Sequence, residues 1–365
     1  MHTASLPIDH FDDVLGRLPP GVNLDALAFD TGAIERRREI GDGASLLRLA
    51  LARGPGGLSL SQTAAWASMI GLTELSSPGV KYRVDKAADF LDALVGRLLA
   101  DATPGTPVHW PGRVLRAADG SGISQHASQG LDWRVHGVFD LGRGRFAHLA
   151  LTDLHGAESM ARGAPLEGEI RIGDRNYARA GALRDLREQS NGKADFIVRM
   201  SWRAFTLTTQ AGRRFTLVDH LATLPDTAGP HEICVFAKTG QRTPPLPLRV
   251  IVMRKSPEAA EASRRKLPRN AQRKQKKLDP RTVAAAGFVI LATSLPSEGY
   301  TAEAIFAAYR LRWQIELAFK RLKSLLHIDQ IPTRTAPASR SWLLAHLVLA
   351  LLCDDVTQDF LESSP

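Results

Sequence analysis

Cysteine is scarce in this chain: its 365 residues include two, Cys234 and Cys353, which lie far apart. A disulfide framework needs several cysteines at short spacings, and a zinc finger needs Cys-x-x-Cys pairs. The sequence therefore predicts neither. Its apolar content of 44% and charged content of 23% are those of a globular protein. This composition excludes a wholly disordered chain and a collagen-like or coiled-coil rod.

Long hydrophobic runs are also missing. The longest apolar stretch, 342–353, contains His346 and is shorter than the roughly 20 residues that cross a bilayer. The first residues carry Asp9, Asp12 and Asp13 where a signal peptide has a basic and then an apolar segment. We therefore expect a soluble, reduced, cytoplasmic protein with no membrane partner.

The basic residues are concentrated in one segment. Lys plus Arg outnumber Asp plus Glu by 47 to 38, a net charge of +9. Eleven basic and three acidic residues lie between Arg254 and Arg281, which leaves about +1 for the rest of the chain (9 − 8). Such a run is either a solvated linker or helix face, or a surface for phosphate backbones.

Residues 1–105 have a helical pattern. We predict helical structure over 25–51, a helix from the capping box Ser59-x-x-Gln62 to Ile70 that Gly71 and the 76–79 cluster stop, and a helix over 84–99. Helices joined by a short break are consistent with a helix-turn-helix motif or with a simple bundle, and the pattern does not decide between them.

After three prolines in 103–111, the apolar period changes to that of strands. Strands over 114–118, 133–141 and 146–151 have short links and predict an antiparallel meander. Strand 170–174, helix 178–189 and strand 195–199 predict a parallel crossover. Short strands over 205–209, 214–218, 233–237 and 248–253 read as a β insertion. A strand over 288–293 and helices over 301–326 and 339–360 follow.

The helix over 301–326 carries the strongest functional signal. At about 100° per residue, Tyr309, Arg312, Glu316 and Lys323 fall on one stripe, and the apolar residues Leu311, Ile315, Ala318, Leu322 and Leu325 form another. Alone, this pattern equally describes an amphipathic helix with ion pairs. However, Asp119 and Asp174 are predicted at the ends of strands, where sheet-built sites gather. Each also has an ordinary explanation, Asp119 as a turn residue and Asp174 as a helix cap.

These residues resemble the transposases of bacterial insertion sequences, in the branch named after insertion sequence four. Tyr309, Arg312, Glu316 and Lys323 match its Tyr-x2-Arg-x3-Glu-x6-Lys helix at all four positions. Asp174-Arg-Asn-Tyr177 matches its Asp-Arg-Gly-Tyr element except at Asn176, and Asp119 matches the acid that ends the first core strand.

The resemblance implies an α/β fold: a ribonuclease H-like mixed sheet flanked by helices, interrupted by a β insertion, with an N-terminal helical domain. On this basis residues 1–105 form a helical DNA-binding domain, and 106–200 form the first part of the catalytic core. Residues 201–285 are the insertion with the basic segment, and 286–365 complete the core.

The resemblance also implies the site and its chemistry. Asp119, Asp174 and Glu316 would bind two Mg²⁺ ions, with Mn²⁺ as a substitute, and catalyse strand cleavage and strand transfer. Tyr309, Arg312 and Lys323 would bind DNA phosphates. The partners would be the terminal inverted repeats, target DNA and a second copy of the chain.

Two other functions remain open from the sequence: an inactive, transposase-derived DNA-binding regulator, and a non-transposing ribonuclease H-like nuclease. The histidines at 126, 136, 148 and 155 fit no zinc spacing, so we interpret them as packing or surface residues.

Overall fold

The computed structural model describes residues 11–100, 110–124, 128, 130, 132–225, 229–273, 275–326, 331–333 and 335–362. Within these ranges, helices lie on both faces of one large mixed sheet. The predicted α/β class is therefore confirmed. His126 and the proline-rich boundary up to position 109 lie outside the described residues.

Six helices precede the sheet. They are α1 (Phe11–Leu15), α2 (Leu24–Asp30), α3 (Gly43–Arg53), α4 (Leu60–Met69), α5 (Ser77–Lys86) and α6 (Ala88–Ala100). The capping box at Ser59 and Gln62 is confirmed. The helical stretch predicted over 25–51 contains two helices, α2 and α3, separated by a loop. The predicted stop at Gly71 is confirmed, because α4 ends at Met69 and Gly71 has a positive φ. The 76–79 cluster, predicted as part of that stop, instead begins a helix: the Ser76 side chain caps α5, and Pro78 occupies its first turn, where its missing N–H has no helical partner to lose.

The sheet has ten strands in the order β3-β2-β1-β4-β5-β10-β9-β8-β6-β7. The first five are β1 (Val114–Ile123), β2 (Trp133–Asp140), β3 (Arg145–Asp153), β4 (Glu169–Gly173) and β5 (Asp195–Arg199). β1, β2 and β3 are antiparallel neighbours, whereas β1–β4 and β4–β5 are parallel. Helix α7 (Ala180–Gln189) makes the crossover between β4 and β5. The predicted meander and the predicted crossover are both confirmed.

The strands predicted as an insertion extend this same sheet. They are β6 (Leu207–Thr208), β7 (Arg214–Phe215), β8 (Pro230–Ala237) and β9 (Leu246–Arg254). β10 (Phe288–Thr293) joins them to the core, since it pairs with β5 on one side and β9 on the other. The predicted strand 214–218 ends early, and α8 (Leu217–Thr223) takes its place. Between β9 and β10 lie α9 (Pro257–Arg273), which spans most of the basic segment, and α10 (Pro280–Ala285).

The helix predicted over 301–326 is two helices, α11 (Ala302–Arg310) and α12 (Trp313–Leu326). At the junction the amides of Arg312 and Ile315 donate to the carbonyls three residues earlier, a tighter turn than the α-helix. Neither glycine nor proline marks this break. The single-stripe geometry therefore holds for Glu316 and Lys323, which are two turns apart on α12, but does not extend to Tyr309.

α13 (Ala336–Glu362) packs on α3, α5 and α6, far away in sequence. The 18 residues Ala336–Cys353 are long and apolar enough to cross a membrane, although 61% of this stretch is buried inside the protein. The expectation that the apolar run of this helix is too short for a bilayer is therefore wrong, because the helix is long enough. The burial is that of a core helix.

The β1–β4 pair is stabilised from one face by buried charges. The Glu169 carboxylate accepts from Arg171 Nε at 2.6 Å and from Arg116 at 3.4 Å. Arg116 also reaches Asp140 on β2 at 3.5 Å, and Arg171 donates to three loop carbonyls. Because Arg116 lies opposite Arg171 in the register, Glu169 is required to neutralise two adjacent cations.

His346 provides a test of the α13 core. It is 3% exposed, its Nδ1–H donates to the Trp342 carbonyl, and burial lowers its pKa from 6.5 to about 4. The unfolded chain therefore takes up this proton near pH 6.5 and the folded chain only near pH 4. The stability from neutral His346 is present above pH 6.5 and is lost as the pH falls towards 4, by roughly 3 kcal/mol in total.

We expect His346→Leu to lose less unfolding free energy than the parent between pH 7 and pH 5, by roughly 2 kcal/mol, as measured by urea unfolding at each pH. The exposed His155→Leu is the control and should follow the parent. A His346→Leu protein with the parent's pH dependence would contradict the prediction.

Candidate active site

Two of the predicted acids are adjacent in the sheet. The parallel register of β1 and β4 ends at the pair Ala118 and Gly173, so Asp119 and Asp174 are the next residues on their strands. Residues that face each other across a parallel pair point to the same face. Asp119 was predicted at a strand end, but β1 continues to Ile123 because β2 pairs with it further. What ends at Asp119 is the pairing with β4.

Asp119 has the most perturbed carboxylate of the predicted site. Its pKa is raised to about 6, chiefly by burial, and the charges of Asp174 and Glu316 act in the same direction. The Gly120 amide, which donates to Asp119 Oδ1 at 2.9 Å, and the Arg312 guanidinium act in the opposite direction. Asp174 and Glu316 therefore interact electrostatically with Asp119, and the cation beside Asp119 favours its charged form.

Asp174 follows β4 and caps the short 3₁₀ turn 175–177, since its Oδ1 accepts from the Asn176 amide at 2.7 Å. This capping role was one of the two predicted explanations, and it leaves the other carboxylate oxygen available. Asn176 does not have a positive φ, so the turn does not need the glycine usual at this position. Gly173 is required instead: a Cβ there would lie 2.8 Å from both Met160 Sδ and Tyr177 Cβ.

Helix α12 approaches the sheet above Gly137, which lies directly opposite Asp119 on β2. A Cβ at Gly137 would lie 2.8 Å from the rings of both Phe146 and Phe319. These two rings pack with their centroids 5.3 Å apart. Because Gly137 has no side chain, the Phe319 ring can pack against the sheet at the position opposite Asp119. Phe319 is three residues from Glu316, so the same contact sets the position of Glu316.

Arg312 links the acid on the helix to the acid on the sheet. Its guanidinium donates to Glu316 Oε1 and lies 3.9 Å from Asp119 Oδ2. The Arg312 side chain is 17% exposed and that of Glu316 is 54% exposed. Arg312 is therefore a cation held between two carboxylates, with Glu316 on the solvent side.

The other two predicted DNA ligands have different surroundings. Tyr309 is partly buried, and burial raises the pKa of its phenol. Lys323 donates from Nζ to the Gly122 carbonyl at 2.8 Å, which ties α12 to the end of β1. This contact occupies one of the three N–H donors that an ammonium carries.

Groups of three or more His, Cys, Asp or Glu arranged to hold a metal ion are absent from the residues that the structure describes. The three acids share one region of the sheet edge without a preformed coordination sphere. His136 is buried and His148 is half-buried, and burial lowers their pKa values to about 3 and about 4. Their assignment as packing residues agrees with this, and His155 is exposed.

Two arginines near the acids were missed in the sequence. Arg175 follows Asp174, and Arg199 ends β5 beside it, because Gly173 pairs with Val198. A signal was present: both follow or end parallel strands whose carboxyl ends meet at one edge. Glu158, whose Oε1 lies 2.9 Å from where a Gly120 Cβ would be, belongs to a loop and has no such signal.

Known proteins resemble this chain over nearly its whole length. The model of the transposase DDE domain matches residues 106–353. The putative transposase InsL of insertion sequence element IS186A of Escherichia coli K12 is 38% identical over 360 residues, which cover 98% of this chain and 96% of that protein. The transposase of element IS421 of Escherichia coli is 38% identical over 361 residues, with the same coverage.

A solved structure of the piggyBac transposase synaptic complex with hairpin DNA overlaps 96% of this chain and 74% of that chain, with a TM-score of 0.42 and 10% identity. The family match extends over the two parallel strands that carry Asp119 and Asp174 and over α12 with Glu316. Transposases of this family cleave DNA and transfer strands with divalent metal ions. The chain belongs to the DDE transposase family, in its insertion-sequence-four branch.

Proposed function

We propose that this protein moves its insertion sequence by cut-and-paste transposition, with Asp119, Asp174 and Glu316 as the acidic triad. In this proposal β1–β5 form a ribonuclease H-like core, and β6–β9 are an insertion that lengthens its sheet. The single observation that carries the proposal is the adjacency of Asp119 and Asp174 at the end of the β1–β4 pairing, with Glu316 held over them by α12.

The donor set suits hard divalent cations. The three acids offer carboxylate oxygens, which Mg²⁺ prefers, and Mn²⁺ accepts the same ligands. The mutual repulsion of the acids and the position of Arg312 between two of them indicate that the site is stabilised by positive charge. When bound by Asp119, Asp174 and Glu316, two such ions would activate the attacking hydroxyl and stabilise the leaving oxygen.

The protein's own residues position the DNA. We infer that Arg312, Tyr309 and Lys323 contact phosphates next to the scissile bond. Arg312 can donate two parallel hydrogen bonds to a phosphate, whereas a phenol offers one neutral donor. Buried packing of Phe319 on Phe146 fixes α12, so these groups and Glu316 are presented together. The same site would first cleave a strand and then join the freed end to target DNA.

The partners follow from this chemistry. The terminal inverted repeats and the target DNA would be the substrates, and a homodimer would hold the two ends. The helices of residues 1–105 are proposed as a DNA-binding domain, and the whole reaction would take place in the cytoplasm. Mg²⁺-dependent cleavage of DNA that carries the element's own flanking repeats, followed by strand transfer, tests the proposal. Binding without cleavage would indicate a regulator, and cleavage without dependence on the repeats would indicate a nuclease.

The triad is tested by Asp119→Ala, Asp174→Ala and Glu316→Ala. Each should abolish cleavage of an end fragment, and combining them should add little, because loss of one ligand already disables the site. Glu303→Ala, an exposed acid in the first turn of α11, is the matched control and should cut normally. Near-parental cleavage by any single variant would remove that residue from the triad.

Gly137 tests the positioning of Glu316. In Gly137→Ala the new Cβ would overlap Phe146 and Phe319, and overpacking of this kind costs about 1–3 kcal/mol. We expect cleavage to fall at least about tenfold while end binding stays near the parental value, since α12 is displaced from the acids. Gly181→Ala, with open space around its Cβ, is the control.

If the close approach is the cause, adding Phe319→Leu to Gly137→Ala should restore part of the cleavage. Both effects are read from single-turnover cleavage and gel-shift titration. Gly137→Ala protein that cuts like the parent would show that the position of α12 does not depend on this contact.

Arg312 and Lys323 test the separation of DNA binding from chemistry. Arg312→Ala should weaken end binding, since a charged phosphate contact contributes roughly 1.5–3 kcal/mol, and Lys323→Ala should also do so. Tyr309→Phe should lose less, and Glu316→Ala should bind ends as well as the parent or slightly better. Gel-shift titrations in Ca²⁺ measure these affinities. Unchanged affinity in both Arg312→Ala and Lys323→Ala would leave them as helix-fixing residues only.

A further inference from the structure

A cleft of about 560 Å³ lies under α9, beside the proposed active site. Along α9, Ala260 is buried and Ser263, Leu267 and Ala271 are half-buried, whereas its other residues are exposed. The floor of this α9 cleft includes Phe288 and Ile290 of β10, and its far wall includes Ala285 of α10. One side of α9 therefore covers the cleft, and its other side faces solvent.

The α9 cleft is strongly cationic. Its lining includes Arg175, Arg199, Lys255, Lys266, Lys276 and Lys277. Among the described residues, Asp279 is the one acid in this lining, and both its oxygens already accept from Arg281. The clustered positive charge is therefore not balanced by the protein itself.

Two of these cations show the imbalance directly. The Nε of Arg199 is buried and has no hydrogen-bond partner among the described residues, which is rare for a buried donor. Lys255 donates from Nζ to Ser263 Oγ at 2.7 Å and to the Ala286 carbonyl at 2.8 Å. Burial lowers the pKa of Lys255, and the neighbouring charges of Arg199, Arg175 and Arg264 lower it further. An anion in the cleft would relieve this repulsion.

The α9 cleft begins where the acids are. The parallel register ends where Ala118 of β1 pairs with Gly173 of β4, and where Gly173 pairs with Val198 of β5. The next residues on these three neighbouring strands are Asp119, Asp174 and Arg199. Arg199 and Arg175 are also close enough to act electrostatically on Tyr309 or to be acted on by it. A strand cut at the acids would therefore meet cations at once on the side of β5.

The size of the space limits the occupant. A cleft of about 560 Å³ is in the range of pockets that take one small molecule, so it holds a short length of one strand and not a duplex. A basic groove that follows the backbone is the usual way to hold single-stranded DNA. Phosphates supply the charge that the cluster lacks.

We propose that the α9 cleft binds the phosphates of a short single-stranded segment next to the cleaved bond, through Arg199 and Lys255. This proposal rests on the proposed function, because it assigns a path to the DNA strand that the active site cuts. It also divides the basic segment into residues that line the cleft and residues on the outer face of α9, which carry no part of this contact.

The test compares two probes in Ca²⁺ by fluorescence anisotropy: a fully paired end fragment, and the same fragment with a short unpaired flank at the cleavage site. The parent should bind the unpaired probe more tightly. Arg199→Gln should lose about tenfold on the unpaired probe, the effect of one charged contact to phosphate, and less than twofold on the paired one. Its log–log salt slope on the unpaired probe should fall by about 0.7.

The matched control is Arg265→Gln on the outer face of α9, whose side chain is 77% exposed and pairs with Glu261. It should bind both probes like the parent. Arg199→Lys should recover part of the loss, because it restores the charge. Lys255→Gln should repeat the loss, and thermal unfolding shows whether it is folded, since Lys255 also holds α9 to the end of α10.

Three outcomes would overturn the proposal: equal losses on both probes, no loss in Arg199→Gln, or competition by millimolar inorganic phosphate as strong as that by an unpaired oligonucleotide. The last would reassign the cleft to small anions. The proposed function fails separately. If the parent cuts no end fragment but Arg199→Gln still weakens binding of the unpaired probe, the proposed function is wrong and the cleft proposal stands. If the parent cuts normally and Arg199→Gln binds the unpaired probe like the parent, the cleft proposal is wrong and the proposed function stands.

Discussion

The parallel pairing of β1 with β4 is the constraint on which the rest of the site depends. It is stabilised by charges buried away from water, with Glu169 between Arg116 and Arg171. Loss of one member of such a network leaves an uncompensated buried charge, which costs about 3–5 kcal/mol. A shift of β4 by one residue would also turn Asp174 to the other face of the sheet. The charges on one face thus specify the register that brings the two acids together on the opposite face.

Arg312 gives the acidic site a charge balance. The charges of Asp174 and Glu316 raise the pKa of Asp119, and Arg312 opposes this while it is bonded to Glu316. The same electrostatic principle applies with opposite sign in the α9 cleft, where cations are left without acids. At the carboxyl ends of the parallel strands, the charge is therefore negative at β1 and β4 and positive from β5 onward. A phosphodiester chain bound across this boundary, with cations at the acids, would find complementary charge on both sides.

The core strands, their meander and their crossover were predicted from the sequence because apolar periods and short links are local signals, whereas the pairing of β1 with β4 was not. The acids at 119 and 174 were predicted from their places at strand ends, and 309, 312, 316 and 323 were predicted from their spacing. What the sequence did not reveal depends on tertiary contacts. The break between α11 and α12 contains no glycine or proline. The role of Gly137 is visible only once Phe319 is packed against it. The sequence of the basic segment does not show that one side of α9 lines a cleft and the other faces solvent. Ser76 and Pro78 misled because caps and stops use the same residues.

The packing of α13 on the N-terminal helices has a consequence for how the chain reaches its native state. Arg340 bonds to Asp89 across 251 residues of sequence, and Ser341 to the Val84 carbonyl across 257. Contacts of such long range form slowly, because the loop between them must close first. During synthesis α3, α5 and α6 emerge early, with the surface that α13 will cover still open to water. The helices proposed to recognise DNA therefore gain their final rigidity only after the catalytic sheet between them and α13 has been made. Folding order thereby couples the completion of the proposed DNA-binding helices to the presence of the sheet that carries the proposed triad.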